Sequence, residues 1–319
     1  MKHQLVIKLL IVIFLLISNN GFSQNKPKLQ TKAQNSVGPE VTILVTAYPH
    51  NDRQREIAAR LQNSDFGVLE NKRSQKIVSV KSANETPVNL AIVIQDNLDW
   101  RVNSELKGLK DFIRELPAGS KVITAYLTIG GAIVTQELTT DLKQAAETLR
   151  VIRGTSLPPI FSPYDGVQGV IKHFEEKTNG RQMILVISDG LDMSLGYHYA
   201  SPYFSISLDK AIRDAQRRGV SVFTIYAPSE DRRPYGRLAL NYGQGSLIRL
   251  ADETGGESYI SLLDFINFSP YLKEFKEVLP FQWVITYRSS TIGNKFRRVE
   301  VATDFDIHLH HIAGYEPTK

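Results

Sequence analysis

At 319 residues, with 42% hydrophobic and 22% charged residues, the chain has material for one large domain with an appendage, or for two modest ones, and for a sizeable core. The formal charge of +5 includes Lys2 and Lys8 of an apolar leader, and the +3 that is left carries no Lys/Arg block long enough for a nucleic-acid arm. The absence of cysteine excludes disulfides, cysteine-based metal sites and a lipid-modified N-terminal cysteine.

Residues 1–23 read as a secretory signal: a basic start, the apolar core Leu9–Ile17, then Gly21 and Ser23 before a cleavage ahead of Gln24. The core is short of the roughly 20 apolar residues of a bilayer span, so the mature protein is expected to be exported, periplasmic or secreted, with no stable membrane span. Residues 24–39 have no periodicity and read as a flexible linker. An N-terminal β-module over 40–86 follows. Val41–Tyr48 and Lys76–Val80 alternate as strands do, and Asp65–Lys72 reads as a strand entering a turn. The stretch between the first two of these is polar and shows no element.

Asn89–Ile94 is an apolar run that stops at Asp96 and Asp99. Such a run is expected of a central parallel strand buried on both faces. Ligands of open α/β sheets bind beyond the carboxyl ends of such strands, which is where these acids fall. Strands and helices then alternate. Leu106, Leu109, Ile113 and Leu116 mark a helix. Lys121–Thr128 and Ala132–Gln136 form a hairpin about Gly130 and Gly131, and Leu142 to Leu149 and Val167 to Phe174 mark two more helices. A second buried strand, Met183–Ser188, also ends in an acid, Asp189. Helix Leu208–Arg218 and strand Val220–Tyr226 come next, then a helix from a Ser246 cap to Leu250 and another opened by Ser269 and Pro270. This α/β unit is taken as 87–280. The tail, 281–319, returns to strands: Phe281–Tyr287, Phe296–Val301 and Ile307–Ile312. The expected fold is therefore a doubly wound, mainly parallel sheet with helices on both faces, inserted in a small β-sandwich formed by the N- and C-terminal strands.

Five segments in order resemble the von Willebrand factor type A domain, and more closely the type-A-related group of exported bacterial proteins of the acidobacterial kind. Asp65-Phe66-Gly67-Val68-Leu69-Glu70-Asn71 resembles that group's DF-x-V-x-E-[DN] hairpin. Pro87-Val88-Asn89-Leu90 resembles its first core strand, and Leu185 to Asp192 its LVL-[ST]-DG-x-D. Leu250 to Gly256 resembles LA-x-ETGG, and Gly314-Tyr315 the closing GY. The resemblance spans nearly the whole mature chain. It implies a Rossmann-like fold and a metal-ion-dependent adhesion site built from D-x-S-x-S, a threonine and a final aspartate. Carried over, the outer ligands are Asp96 and Asp189, but the serine positions hold Leu98 and Trp100, which offer no oxygen. Thr155 or Ser162 would take the threonine place, and Asn97, Asp99 or Ser104 could lend substitute oxygens. The site is thus expected to be degenerate. Asp96 is read as structural, bonding backbone N–H groups of the opposite loop, and no cofactor is expected; Mg²⁺ in a shifted geometry is the alternative.

On the same rim lie Trp100, the aromatic loop with Tyr197, Tyr199, Tyr203 and Phe204, and a loop over Glu230–Tyr242 with Arg232 and Arg233. Exposed aromatics are favoured anchors for a protein partner. His308 and His310 share a strand face and are read as solvent-facing rather than as a metal pair. Ser188-Asp189-Gly190 has no nucleophile elbow or histidine partner, so no enzymatic activity is expected. The first expectation is an exported, non-enzymatic binding module. The alternatives are a structural or assembly subunit of an envelope complex, a weakly metal-binding adhesion protein, and a metal-dependent hydrolase.

Overall fold

A computed structural model describes residues 38–153, 161–174, 180–229, 236–260 and 267–317; the leader, most of the linker, Thr155, Arg232 and Arg233 lie outside the described residues. The first part contains strand β1 (Glu40–Tyr48), helix α1 (Asp52–Arg60) and strands β2 (Gly67–Glu70), β3 (Arg73–Ser74) and β4 (Lys76–Ser82). Then come β5 (Val88–Gln95), α2 (Leu106–Arg114), β6 (Lys121–Thr128), β7 (Gly131–Thr139), α3 (Leu142–Glu147) and α4 (Pro163–Ile171). They are followed by β8 (Arg181–Ser188), α5 (Ile206–Arg218), β9 (Ser221–Tyr226), α6 (Gly236–Thr254), β10 (Ser258–Tyr259) and α7 (Ser269–Val278). The chain closes with β11 (Gln282–Arg288), β12 (Arg297–Ala302), β13 (His308–His310) and β14 (Gly314–Tyr315).

The central sheet has the order β10-β9-β8-β5-β6-β7. All its pairings are parallel except the β6–β7 hairpin. Every residue of β5 and β8 is buried, because successive side chains point to opposite faces and both faces are covered. Leu90, Ile92 and Ile94 of β5 enter a core with Leu109 and Ile113 of α2, Ala145 of α3 and Leu272 and Phe275 of α7. Ala91 and Val93 enter a second core with Val167 and Val170 of α4 and Leu208 and Ile212 of α5. The sheet is therefore doubly wound, as the strand-helix alternation predicts.

Two four-stranded sheets, β13-β1-β11-β4 and β14-β12-β2-β3, unite the N- and C-terminal segments. They enclose a third core of Ile43, Val45, Val68, Val80, Ile285, Tyr287, Val299 and Val301. The alternate residues of the first sheet, Leu44 and Val284, join the core of the α/β unit instead, so β1 is apolar on both faces. Arg181, buried at the start of β8, bonds Thr86 O (3.1 Å), Leu279 O (2.6 Å) and Gln282 Oε1 (2.9 Å) across the junction. Burial pushes its guanidinium down to about 10.

Two local expectations are corrected. The polar stretch after β1 contains α1, capped by Asn51 Oδ1 on Gln54 N (2.9 Å); only Ala58 of this helix is buried, so no apolar periodicity announces it. Ser246 is not a cap: α6 runs from Gly236, and Ser246 lies buried within it. The helix also takes up part of the Glu230–Tyr242 segment read as a loop. Gly243 inside it meets the Asp189 carbonyl so closely that an added Cβ would sit 2.1 Å from that oxygen, so this glycine permits the close approach of helix and turn.

Candidate functional site

Sheet order reverses between β5 and β8. From β5 the chain adds β6 and β7 on one side, then returns to add β8, β9 and β10 on the other. Crevices open at the carboxyl ends of strands flanking such a switch point. β5 and β8 pair in parallel up to Ile94 and Ile187, so Asp96 and Asp189 arrive at the same edge on adjacent strands. Gln95 ties the two ends together. Its Oε1 accepts from Ser188 Oγ (2.5 Å) and Asp189 N (3.3 Å), and its Nε2 donates to Asn97 Oδ1 (2.7 Å).

The Asp96 carboxylate, 3% exposed as a residue, is held by Arg150. Nη1 donates to Oδ1 at 2.8 Å and Nη2 to Oδ2 at 3.0 Å, the bidentate fork that matches guanidinium to carboxylate. Arg153 N adds a backbone donor to Oδ1 at 3.0 Å, and Arg153 Nε lies 3.8 Å from Oδ2. Arg150 is itself tightly placed. Its guanidinium lies over the Tyr126 ring at 3.9 Å, its N–H donates to Tyr126 Oη (2.7 Å), and that hydroxyl donates to Arg150 O (2.8 Å). Bonding to Asp96 raises the Arg150 guanidinium above its ordinary value. The Asp189 carboxylate has other partners: Oδ1 accepts from Leu191 N (3.1 Å) and Oδ2 from Ser229 Oγ (2.5 Å).

No family model matches the chain, and no curated protein matches it. Solved structures similar to it include von Willebrand factor type A domains. A von Willebrand factor type A protein from Catenulispora acidiphila shares 10% identity over 92% of this chain and 76% of that one, with a TM-score of 0.45. Manganese-loaded TRAP protein from Plasmodium vivax shares 13% identity over 80% of this chain and all of that one, at a TM-score of 0.41. An aerotolerance-related membrane protein from Bacteroides fragilis shares 14% over 60% of this chain and 98% of that one, at 0.42. At such scores the fold assignment rests on the sheet order and strand registers described above.

Asp96 and Asp189 thus meet at one sheet edge, while Leu98 and Trp100, which follow Asp96, carry no side-chain oxygen. Leu98 is buried and forms a bridge to Ser229, while Trp100 points outward, 67% exposed. The substitute donors are already engaged. Asp99 accepts from Arg101 at Nε (2.9 Å), Nη2 (2.7 Å) and the backbone N (3.0 Å). Asn97 is bonded to Gln95, and Ser104 Oγ donates to Arg101 O (2.6 Å). Ser162 Oγ, the other candidate for the threonine place, accepts from Tyr164 N at the start of α4. A hard dication takes several oxygens in near-octahedral geometry; these donors, with a guanidinium seated on Asp96, do not fit one. Among the described residues no three His, Asp or Glu side chains converge on a common point.

The aromatic loop after β8 is pinned at both ends. Asp192 accepts from Ser194 N (3.0 Å) and from Ser205 Oγ, which also caps α5 through Leu208 N (3.0 Å). Arg249 Nη1 donates to Pro202 O (2.6 Å). Between these anchors Tyr199, Tyr203 and Phe204 stand exposed, Tyr203 at 81%. Tyr197 differs from the expectation. It is half-buried, packed against Tyr242 (6.2 Å between rings) and a small core of Leu191, Met193, Ala200 and Ala239, so part of its ring supports the loop. The histidine pair also differs: His308 is exposed, but His310 is half-buried, its ring tilted against Tyr48 with centroids 4.4 Å apart.

The residue missed from the sequence is Arg150, which lies 54 positions from Asp96. An ion pair at that separation leaves no periodic trace. Gln95 and Ser229 were missed for the same reason.

Proposed function

We propose that this chain is an exported, non-enzymatic protein-binding module of the bacterial type-A-related kind, which holds its partner through the rim around Trp100, Tyr199, Tyr203 and Phe204 and does so without a bound ion. The observation that carries this reading is the Arg150 fork on Asp96. An ion there would have to displace or face a fixed positive charge, and the loop would lose a bond that orders it. Partner contact then falls to side chains. Aromatic residues suit this role because they give large contact area at low entropic cost. The reading as a non-enzyme is supported by Ser188, whose Oγ donates to Gln95 and accepts from Gly190 N (2.9 Å); no histidine bonds it among the described residues. Export rests on the leader in 1–23. No helix of the described residues is long and apolar enough to cross a membrane.

The assembly-subunit reading has less support. β4 lies at the edge of its sheet, but it carries Lys76 and Lys81, charges that oppose strand addition. The deciding experiment captures binding partners from a cell-envelope extract on the immobilised protein, then compares the wild type with Trp100→Ala/Tyr203→Ala. Loss of two anchors should weaken capture by at least about tenfold, or 1.4 kcal/mol. EDTA or 5–10 mM Mg²⁺ (on the order of usual assay levels) should change neither capture nor melting temperature, whereas an ion at 100 times its Kd would stabilise by about 2.7 kcal/mol. Capture that ignores the double substitution, or that EDTA abolishes and Mg²⁺ restores, would overturn the proposal.

A further inference from the structure

Strands β4 and β11 of the sandwich are joined to the α/β unit near the Ser82–Trp283 pair, and end six residues away at Arg288 and Lys76, with Glu40 of β1 beside Arg288. Three connections gather at that far end: the β11–β12 loop, the turn between β2 and β3, and the chain entering β1. They are stitched together. Gly38 N donates to Ser289 O (2.9 Å), Ser290 N to Gln75 Oε1 (2.7 Å) and Asn71 N to Arg298 O (2.9 Å). The β11–β12 loop is held from inside, where Arg297, buried 3.7 Å from Glu70, donates from Nη2 to Gly293 O (2.8 Å). Beside that anchored glycine Ile292 is 76% exposed, and Phe296, whose ring rests on Gly314, is 48% exposed.

Charge at this end is one-sided. Lys72, Arg73, Lys76 and Lys295 are exposed and make no ion pair among the described residues. Arg288 is neutralised by Glu40 (2.6 Å), and Arg298 Nε lies 3.8 Å from Glu300 Oε1. Against these four free cations stands one exposed acid without a pair among the described residues, Glu316. The chain that enters at Gly38 adds to the excess. Residues 24–37, which remain after cleavage ahead of Gln24, carry Lys26, Lys28 and Lys32 and no acid. An ordinary solvated surface intersperses both signs; this end pairs one sign with an exposed apolar tip.

We propose that this end of the sandwich rests on an anionic phospholipid surface, with Ile292 and Phe296 entering the headgroup layer and the free cations, together with the lysines of 24–37, meeting the phosphates. Each lysine or arginine near such a surface strengthens binding about fivefold. Apolar side chains that enter the layer add a contribution that salt does not screen. A bilayer matches both features, because it sets negative charge over an apolar interior; a soluble polyanion matches the charge alone. Where the chain leaves the fold also favours a bilayer. The apolar leader reaches this same end through residues 24–37, a stretch that spans at most roughly 50 Å at about 3.6 Å per residue. While the leader is in the membrane during export, this end is therefore the part of the fold held near it. The contact is peripheral, and it is independent of the aromatic rim and of the Asp96–Arg150 pair.

Co-sedimentation tests this with the mature chain, Gln24–Lys319, which keeps every described residue. The vesicles are phosphatidylglycerol mixed with phosphatidylethanolamine, or phosphatidylcholine alone. Partitioning should be at least about tenfold stronger on the anionic vesicles, and should fall at least about fivefold between roughly 0.1 and 0.5 M NaCl. Lys72→Glu/Arg73→Glu/Lys295→Glu should weaken it at least about 100-fold. Ile292→Ser should weaken it at least about threefold while keeping the salt dependence, which separates a bilayer from a soluble polyanion. All four positions are exposed, so both variants should melt as wild type does. Trp100→Ala/Tyr203→Ala, on the aromatic rim, should leave vesicle binding unchanged. Equal partitioning onto the two kinds of vesicle, no loss in the charge-reversed variant, no loss with Ile292→Ser, or a loss caused by the rim substitutions would each overturn the proposal.

Discussion

Replacing Arg150 by Met keeps most of the stem and removes the guanidinium. Asp96 would then retain the Arg153 backbone N–H at 3.0 Å and a guanidinium 3.8 Å away on an exposed side chain. Removing one member of a buried ion pair costs about 3–5 kcal/mol. The Arg150 side chain is 30% exposed, so water screens the pair and the lower part of the scale applies, about 2–3 kcal/mol. Loss of the stack on Tyr126 adds about 0.5–1 kcal/mol. The expected total is about 3 kcal/mol, a large share of the roughly 5–15 kcal/mol of a typical domain. Asp96→Asn should cost less, about 1–2 kcal/mol, because the half-exposed guanidinium can turn to solvent. A double-mutant cycle with Arg150→Met, Asp96→Asn and both together, read by urea unfolding, should give a coupling energy of about 1.5–2 kcal/mol. Coupling below about 0.5 kcal/mol would mean that the fork is ornamental, and would remove the physical basis for an ion-free crevice.

Three further outcomes are expected. In the sandwich, buried Glu70 accepts from Ser289 Oγ (2.7 Å), Tyr315 Oη (2.9 Å) and Tyr287 Oη (3.1 Å), with Arg297 Nη1 at 3.7 Å. Glu70→Ala removes the carboxylate that these four groups share and should destabilise by about 3–5 kcal/mol; a thermal melt giving under about 1 kcal/mol would contradict this. His311 accepts from Val301 N through Nε2 (3.1 Å), and burial, with His310 and His308 adding, holds its ring below the ordinary histidine range. The unfolded chain therefore binds more protons, and the contribution, complete above about pH 6.5, is lost as pH falls from there toward the folded value. The urea midpoint of wild type should drop between pH 7.5 and 5 more than that of His311→Gln, which keeps an acceptor; an equal or smaller drop would refute the assignment. Finally, Gly243→Ala should cost about 1–3 kcal/mol through overpacking on Asp189 O. Gly108→Ala, in α2 with nothing within 4 Å, should stabilise by about 0.4–1 kcal/mol, and differential scanning calorimetry that finds the two shifts alike would contradict the close approach.

Much of the architecture is legible in local pattern. β5 and β8 are unbroken apolar runs because each is covered on both faces, and each run stops where the sheet ends, which singles out Asp96 and Asp189. The paired acids become neighbours once those two strands are adjacent and parallel, an adjacency that the resemblance to type A domains implies and apolar pattern alone does not. Local pattern fails where a residue answers to something distant. α1 escapes notice because eight of its nine residues are not buried. Tyr197 reads like its aromatic neighbours, yet the packing of α6 against its loop covers part of it. Arg150 is the decisive case. Burial is a property of every residue along a strand and so repeats in the sequence, whereas an ion pair joins two points that the fold alone brings within 3 Å. The sequence by itself determined that two acids end the central strands and that Leu98 and Trp100, which carry no side-chain oxygen, follow the first of them; only the tertiary structure decided that a guanidinium meets that first acid.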